Sequence, residues 1–398
     1  MNKQTIKDIN IKGKKVIVRV DFNVPLDEKL KITDDIRIQA AIPTIKYLLD
    51  QKASKVILMS HLGRPKGAED SLRLNPVAER LSKLLKEPVL KLDDCVGDAI
   101  KKAIDKSKER VVLLENLRFH KEEEANDAAF AKQLASLAEV YVNDAFGTAH
   151  RAHASTEGIT KYLPSVAGFL LQKELEYLGG VINDPEKPYT VILGGKKVSD
   201  KILLVENLMQ KADYLLIGGG MAYTFLKAQG KKIGKSICQE DFVAKAKSLL
   251  AEAKKRGCHI ELSQDYVVVQ DFEKPKAAKI VAGDIPDGWE GLDIGPKSRE
   301  AFKKILAKSK TIVWNGPVGV FEVDAYAQGT KELAEYLAKL KAKVIVGGGD
   351  SASAAKKFGV DDKMTHISTG GGASLEFLEG KTLPGVAALK NRETAGVK

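Results

Sequence analysis

Short runs of apolar, mostly β-branched residues recur along the chain and are separated by longer amphipathic stretches. The runs cover residues 16–20, 56–59, 111–114, 140–142, 190–193, 214–217, 312–314 and 344–346. A continuous apolar run of this length is typical of a strand that is buried on both faces of a sheet. The pattern therefore predicts a series of buried strands in both halves of the chain.

The stretches between these runs have the periodicity of helices. Residues 241–256 are the clearest example, with a shared apolar face made of Phe242, Val243, Ala246, Leu249, Leu250 and Ala253. Gly257 follows as a natural C-terminal stop. A second helix is predicted over residues 37–49, which Arg37 opens. Strands that alternate with helices predict an α/β fold of mostly parallel, doubly wound sheets flanked by helices.

The chain has 398 residues, which is more than one hydrophobic core usually organises. Turn-forming residues cluster at 183–188, directly after an amphipathic segment at 169–178. We therefore expect two lobes: an N-terminal domain over residues 1–168, a hinge helix over 169–184 and a C-terminal domain over 185–384.

The composition is that of a globular protein, with 44% hydrophobic and 29% charged residues. The formal net charge of +11 raises the question of nucleic-acid binding. However, much of the excess is lysine scattered along predicted helices, and no basic block with interleaved aromatic residues occurs. We expect no nucleic acid as the primary ligand, because an anionic small substrate accounts for the sign of the charge equally well.

The three cysteines, Cys95, Cys238 and Cys258, have neither the number nor the spacing of a disulfide framework or a zinc site. They are interpreted as reduced, buried thiols. The N-terminal residues are polar and charged, and no apolar run of 18 residues occurs. We expect a cytoplasmic protein without a membrane partner.

In parallel sheets, ligands bind beyond the carboxyl ends of the strands, so the residues after each apolar run carry the functional information. In the first half these residues are polar and basic: Asp21, Phe22 and Asn23, then His61, Leu62, Gly63 and Arg64, then Arg118, then Arg151. A lone arginine is most often a surface ion pair. Arginines at the ends of successive strands are instead expected to converge on one phosphate or carboxylate.

In the second half the residues after the runs are rich in glycine. They include Gly194, Gly218 and Gly219, then Asn315, and a loop of Gly347, Gly348, Gly349, Asp350 and Ser351, with Gly370 in a later glycine run. Glycines at a helix N-terminus expose amides to phosphate, and Lys197 and Lys201 share one helical face. A tight turn followed by exposed lysines is the alternative for the Gly194 loop, which lacks the Walker A spacing.

Two acidic side chains in the second half are candidates for contacts with a nucleotide and its metal ion. Asp350 is a carboxylate able to hold nucleotide-bound Mg²⁺, and Glu322 is available for ribose hydroxyls. Trp314, inside an apolar run, is expected to belong to the core.

Six motifs taken together resemble the phosphoglycerate kinase family in that family's order. They are RVDFNVP at 19–25, SHLGRP at 60–65, ENLRF at 115–119, NDAFGTAHRAH at 143–153, WNGPVGVFE at 314–322 and STGGGAS at 368–374. The resemblance extends along essentially the whole chain. It departs from the family pattern at Lys196, where alanine is common, and at Ser351, where threonine is frequent.

The resemblance implies a reversible phosphoryl transfer from 1,3-bisphosphoglycerate to ADP, giving 3-phosphoglycerate and ATP, with Mg²⁺ bound to the nucleotide. The implied substrate-binding residues are Asp21, Phe22, Asn23, Arg37, His61, Leu62, Gly63, Arg64, Arg118 and Arg151. The implied nucleotide-binding residues are Gly194, Lys197, Lys201, Gly218, Gly219, Gly291, Asn315, Glu322, Gly348, Gly349, Asp350 and Ser351. The implied catalytic groups are Arg37, Lys197, Gly347 and Gly370, and the implied metal ligand is Asp350.

The resemblance also implies a monomer whose residues 385–398 return to the N-terminal domain and whose lobes close over the two substrates. Two other enzyme or binding classes are weaker. A dinucleotide oxidoreductase would need a GxGxxG fingerprint, which the sequence lacks. A non-catalytic nucleotide-binding regulatory protein of the same fold remains an alternative, which a turnover assay separates from an enzyme.

Overall fold

The computed structural model describes residues 2–392, which divide into two compact units. The first unit contains residues 2–176 and 382–392, and the second contains residues 177–381. Residues 385–392 thus belong to the first unit, whereas residues 393–398 of the expected C-terminal return lie outside the described part of the chain. None of the helices within residues 2–392 is both long and apolar enough to cross a lipid bilayer.

The first unit is built around a six-stranded sheet whose strands are all parallel. Its elements are β1 (Lys15–Val20), α1 (Ile36–Asp50), β2 (Lys55–Met59), α2 (Asn75–Leu85), β3 (Val89–Lys91), α3 (Asp98–Lys106), β4 (Val111–Leu113), α4 (Lys121–Glu124), α5 (Ala128–Ala135), β5 (Val140–Asp144), β6 (Ser165–Ala167) and α6 (Phe169–Asn183), the last of which continues into the second unit. The strand order is β3-β4-β2-β1-β5-β6. The sheet is therefore doubly wound, with β1 at its centre.

The second unit contains another parallel six-stranded sheet and a small antiparallel one. Its elements are β7 (Tyr189–Leu193), α7 (Ile202–Leu208), β8 (Tyr214–Ile217), α8 (Gly219–Ala228), α9 (Val243–Arg256), β9 (His259–Leu262), β10 (Asp265–Val269), β11 (Lys279–Ala282), β12 (Glu290–Ile294), α10 (Pro296–Leu306), β13 (Thr311–Asn315), α11 (Gln328–Leu337), β14 (Lys343–Val346), α12 (Gly349–Lys357), β15 (His366–Ile367) and α13 (Gly372–Leu378). A last helix, α14 (Pro384–Ala387), belongs to the first unit. The parallel strands lie in the order β15-β14-β13-β7-β8-β9, and the antiparallel strands in the order β11-β10-β12.

The fold class predicted from the hydrophobic pattern is confirmed. Each of the eight apolar runs overlaps a strand of one of the parallel sheets, because residues such as Val18, Leu58 and Val142 are buried between the helical layers. The antiparallel sheet of β10, β11 and β12 was not predicted. Its edge strand β11 has exposed residues, Ile280 among them, so it lacks the continuous apolar run that marks a buried strand.

The helices predicted at 37–49 and 241–256 are present, and their bounds differ slightly, the first being Ile36–Asp50. The helix predicted at 241–256 begins as a 3₁₀ turn, Glu240–Phe242, and continues as α9. Gly257 ends it with a φ of +75°, a left-handed conformation that suits glycine. On the predicted apolar face, Ala246, Leu249 and Ala253 are buried, whereas Val243 and Leu250 are only half-buried.

One expectation about the cysteines is wrong. Cys95 and Cys258 are buried free thiols, but Cys238 is only half-buried. Cys238 lies in the irregular segment between α8 and the 3₁₀ turn at Glu240–Phe242.

A buried carboxyl group connects the end of β5 to the start of α6 in the first unit. Asp144 has no exposed surface, and its Oδ1 accepts hydrogen bonds from the amides of Leu170, at 2.9 Å, and Leu171, at 3.4 Å. Oδ1 would lie 2.2 Å from a Cβ at Gly168, so the close approach needs a glycine there. Burial raises the pKa of Asp144 to about 7, against the lowering effect of hydrogen bonds from Thr44, Leu171 and Leu170.

Because the pKa of Asp144 is raised, we expect the free energy of unfolding to depend on pH, and Asp144→Asn should remove this dependence. The folded state holds the proton up to about pH 7, whereas the unfolded carboxyl loses it near pH 4, so stability falls as pH rises between these values. From pH 4 to 7.5 the free energy of unfolding of the wild type should fall by up to about 4 kcal/mol relative to that of Asp144→Asn. Unfolding midpoints of both proteins across this range measure the difference. The exposed substitution Asp287→Asn is the control, and a constant difference for Asp144→Asn would contradict the prediction.

Candidate active site

In the first unit, the loops after β1, β2 and β4 are joined by a chain of hydrogen bonds. The Arg37 guanidinium lies 3.2 Å from the Asp21 carboxylate and donates to the Asn23 carbonyl at 3.0 Å. Asn23 Oδ1 accepts from the Gly63 amide at 2.8 Å, and the Gly63 carbonyl accepts from Arg118 at 2.7 Å. The structure therefore brings together these five of the residues predicted to bind substrate.

His61 lies at the centre of the basic cluster in this unit and is neutral. Its Nδ1 is 3.0 Å from Nη2 of Arg19, and its side chain is buried. A guanidinium can only donate, so Nδ1 is the acceptor and the imidazole proton is on Nε2. Burial holds the pKa of His61 well below its ordinary value, and the positive charges of Arg19, Arg118, Arg151 and Arg37 lower it further.

Arg19 is a site residue that the sequence reasoning did not assign. It occupies the central strand and is 1% exposed, and its Nε donates to Ser155 Oγ at 2.9 Å. The Ser155 hydroxyl donates to Glu123, whose carboxylate also accepts from the Ser155 amide. The carboxylate of Glu123 thus compensates the positive charge of the buried Arg19 guanidinium, because a buried charge needs a nearby partner. An arginine inside an otherwise apolar run was the sequence signal for this network.

The positive charges of the cluster also act on a second imidazole, that of His153. Burial and the charges of Arg118, Arg19 and Arg151 lower the pKa of His153 to about 4. Arg151 itself contacts the His150 imidazole at 3.2 Å. Two imidazoles held neutral and several guanidinium groups are the arrangement expected of a site that binds an anion with more than one negative charge.

Three predicted substrate-binding residues differ from this cluster in their burial: two side chains lie in the core and one is exposed. The side chains of Phe22 and Leu62 are buried in the hydrophobic core of the first unit. Their backbone amides are also engaged, Phe22 with Ser60 Oγ at 2.9 Å and Leu62 with Asn116 Oδ1 at 3.1 Å. The side chain of Arg64, by contrast, is exposed.

In the second unit, glycines allow the loops after β7, β8 and β13 to interlock. A Cβ at Gly194 would lie 1.9 Å from the carbonyl oxygen of Pro317, and one at Gly218 would lie 2.7 Å from the Val318 side chain. Gly219 opens α8 with a φ of +65°. These positions exclude any side chain, so the glycines shape the loops as well as exposing amides.

Lys201 is a largely buried cation of this unit that contacts Asn315 at the end of β13. Its ammonium group contacts the Asn315 side-chain oxygen and lies 3.2 Å from the Asn315 carbonyl oxygen. Burial lowers its pKa to about 8, while the charges of Asp350, Asp200 and Glu379 act in the opposite direction. Lys197, four residues earlier, is exposed. The predicted helical face shared by these two lysines is wrong, because α7 begins only at Ile202.

Several groups of the second unit that were predicted to be catalytic or nucleotide-binding already have partners. The Gly347 amide donates to the Trp314 carbonyl at 2.9 Å, and the Gly370 amide donates to Ser368 Oγ at 3.2 Å. Ser351 is buried and its hydroxyl accepts from the Gly316 amide at 2.6 Å. Trp314 is 2% exposed and belongs to the core, as expected.

Gly348, Gly349 and Asp350 lie at the start of α12, where the amides of the first helical turn have no partner within the helix. Asp350 is exposed in that first turn. Its carboxylate and the helix N-terminus together suit a metal-bound phosphate.

A cleft of about 480 Å³ lies beside these groups, within the second unit. Its walls include four of the implied nucleotide-binding residues, namely Gly219, Gly291, Glu322 and Asp350. The other wall residues are Gly195, Lys196, Gly220, Tyr223, Ile237, Phe272, Glu290, Leu292, Pro317, Gly319 and Val320. A Cβ at Gly291 would lie 2.0 Å from the Tyr223 hydroxyl oxygen. No residue with a side chain fits at this position of the wall. The exposed aromatic Phe272 and the apolar Ile237 provide surface for a flat base.

Comparison with known proteins agrees with the resemblance seen in the motifs. The family model described as phosphoglycerate kinase matches residues 6–381. Proteins named phosphoglycerate kinase from Dictyoglomus turgidum and Moorella thermoacetica are each 57% identical over 98% of this chain and 100% of their own length.

Solved structures give the same result. The phosphoglycerate kinase from Coxiella burnetii superposes with a TM-score of 0.89 at 41% identity, and that from Pyrococcus horikoshii OT3 with a TM-score of 0.81 at 34% identity. Each comparison covers 97% of this chain and 98% of the other. With this fold, these two sets of strand-end residues and this similarity along nearly its whole length, the chain belongs to the phosphoglycerate kinase family.

Proposed function

We propose that the chain transfers a phosphoryl group reversibly from 1,3-bisphosphoglycerate to ADP, with the roles of its residues divided between the two units. Membership of the family makes it a phosphotransferase with a carboxyl group as acceptor. The observation that carries the division of roles is the set of arginines around the neutral His61 in the first unit. A three-carbon acid with a phosphate has the charge and size that such a cluster binds.

In this proposal the first unit holds 3-phosphoglycerate. Arg118 and Arg151, with Arg64 from the exposed loop, bind its phosphate through bidentate guanidinium contacts. His61 donates its Nε2 proton to a substrate oxygen, because Arg19 occupies Nδ1. Asp21 and Asn23 bind the hydroxyl group and position the Arg37 guanidinium.

The second unit holds the nucleotide in the cleft that Gly291 and Glu322 line. Lys201 and the amides at Gly348 and Gly349 contact the phosphates, with Gly194, Gly218, Gly219, Asn315 and Ser351 shaping the loops around them. Asp350 is the residue that would hold nucleotide-bound Mg²⁺, since it offers an exposed carboxylate oxygen at the cleft wall. The bound ion would neutralise phosphate charge during transfer.

The chemistry needs positive charge more than it needs a base. In the direction of ATP use, the attacking group is an ionised carboxylate, which has no proton to lose. Catalysis therefore rests on in-line positioning and on stabilising the charge of a loose transition state. We assign this role to Arg37 and Lys197. The amides of Gly347 and Gly370 can add to it only if their present hydrogen bonds to Trp314 and Ser368 open.

The cytoplasmic location, the monomeric state and the hinge function of residues 169–184 belong to the same proposal. Since the two substrates are assigned to different units, transfer in the absence of water requires the units to close. Small-angle scattering should show compaction when both ligands are present, and an unchanged radius of gyration would contradict the hinge.

The reaction itself is tested by incubating the protein with Mg²⁺-ATP and 3-phosphoglycerate and trapping the acyl phosphate with hydroxylamine. Equal, substrate-dependent amounts of ADP and hydroxamate are expected. Absence of turnover despite demonstrated binding of both ligands would favour the alternative, a non-catalytic nucleotide-binding protein of the same fold.

Arg37→Ala tests the proposed transition-state role. If Arg37 acts as other phosphoryl-transfer arginines do, kcat at saturating substrates should fall by about 10³- to 10⁵-fold, or about 4 to 7 kcal/mol. Arg80→Ala is a matched control, because Arg80 is 43% exposed and ion-paired with Asp35 at 2.6 Å. It should leave kcat nearly unchanged. A loss below tenfold for Arg37→Ala would remove this residue from the mechanism.

The lowered pKa of Lys201 leads to a prediction of how nucleotide affinity changes with pH. Its pKa of about 8 in the free protein should rise when phosphate binds, so binding above pH 8 requires proton uptake. Affinity for metal-free ADP should therefore fall by up to about tenfold for each pH unit above 8. Isothermal titration from pH 7 to 9.5 measures this. Lys201→Met should bind weakly with no such decline, whereas Lys227→Met, at an exposed ion pair, should keep it. A flat wild-type profile would be incompatible with the assignment.

A further inference from the structure

A cluster of three potential metal ligands lies in the first unit and has no role in the proposed reaction. Asp94 and Cys95 follow β3, and His120 follows β4, the neighbouring parallel strand. We propose that Asp94, Cys95 and His120 form a binding site for a borderline-soft divalent cation of the zinc type. A thiolate, an imidazole and a carboxylate are the ligand types that zinc prefers.

The ligand atoms are already close to the geometry of such a site. The carboxylate oxygen of Asp94, the sulfur of Cys95 and a ring nitrogen of His120 all lie within 4.8 Å of one another. Bond lengths of about 2.0 to 2.3 Å in tetrahedral zinc sites place ligand atoms roughly 3.3 to 3.8 Å apart. His120 Nε2 and Asp94 Oδ1 are 2.6 Å apart, so metal entry replaces their hydrogen bond with two bonds to the ion.

Neighbouring groups hold all three side chains in place. The Cys95 amide donates to Asp94 Oδ1 at 2.7 Å, and the Cys95 thiol donates to the Glu115 carbonyl at 3.0 Å. The His120 ring packs against the Phe130 ring, with 5.0 Å between their centroids. Preorganised ligands lose little conformational entropy when a metal binds, which favours affinity.

The sulfur of Cys95 lies near three carboxylates, those of Asp94, Glu123 and Glu115. Lys91 carries the opposite charge, but its ammonium group is already paired with Glu115 and lies 3.4 Å from Asp93. In metal binding the S–H bond breaks, the sulfur–metal bond forms and the proton is released to solvent, so the ion takes the place of the proton.

The accessibility of the ligands defines the entry side and the fourth coordination position. Cys95 is fully buried, while the side chains of Asp94 and His120 are 52% and 28% exposed. The ion therefore enters past Asp94 and His120 and keeps a water on that side. A bound ion would join the loops after β3 and β4, and the second of these loops also carries Arg118.

Co²⁺ is a suitable probe, because thiolate coordination to it gives a charge-transfer band in the near ultraviolet that oxygen ligands do not give. Titration of the reduced, metal-stripped protein should saturate at one thiolate-bound Co²⁺ per chain and release a proton. Added Zn²⁺ should remove the band and raise the unfolding midpoint. Co²⁺ bound at Asp350 would not contribute to the band.

Substitutions distinguish Co²⁺ binding at this site from Co²⁺ binding elsewhere on the protein. Cys95→Ser should abolish the band, and Cys258→Ser, which removes another buried thiol, should retain it. His120→Gln keeps the buried thiol and should weaken Co²⁺ binding by at least about tenfold, so it decides the matter if Cys95→Ser fails to fold. A wild-type protein without the band, a band that survives Cys95→Ser, or an affinity unaffected by His120→Gln would overturn the proposal.

Discussion

All strands of each six-stranded sheet run in the same direction, and this constraint determines where the chemistry lies. Parallel strands bring their carboxyl ends to one edge, so the residues that follow β1, β2 and β4 become neighbours. The hydrogen bonds from Arg37 through Asn23 and Gly63 to Arg118 are the direct result. The same constraint joins the loops after β7 and β13 in the second unit through glycine contacts.

In the proposed function, the two units bind phosphate in different ways. The first unit relies on guanidinium groups, and it compensates the buried Arg19 through Ser155 and Glu123. The second unit relies on helix N-termini and a lysine whose pKa burial has lowered to about 8. Fixed arginine charges suit a small acid that has to be oriented, whereas backbone amides suit a polyphosphate chain that extends past several loops.

In the proposed function, a neutral imidazole within a cluster of arginines has a defined role. Because Arg19 occupies Nδ1, His61 would contribute one directed Nε2 proton to the site. Its tautomer is set by Arg19, a residue of the central strand and not of a loop. The binding surface therefore depends on a charged side chain inside the sheet, where packing holds it more rigidly than a loop would.

The hydrophobic pattern by itself determined the fold class and the strand-end residues, because burial on both faces imposes a continuous apolar run and parallel strands share an edge. Motif order determined the family. Only the tertiary structure decided that Arg19 sets the His61 tautomer, that Tyr223 and Phe272 line the cleft, and that the Gly347 and Gly370 amides have partners. It also decided that Cys95 lies beside His120. Most of these relations join residues distant in sequence, and their distances and burial arise only when the strands pair.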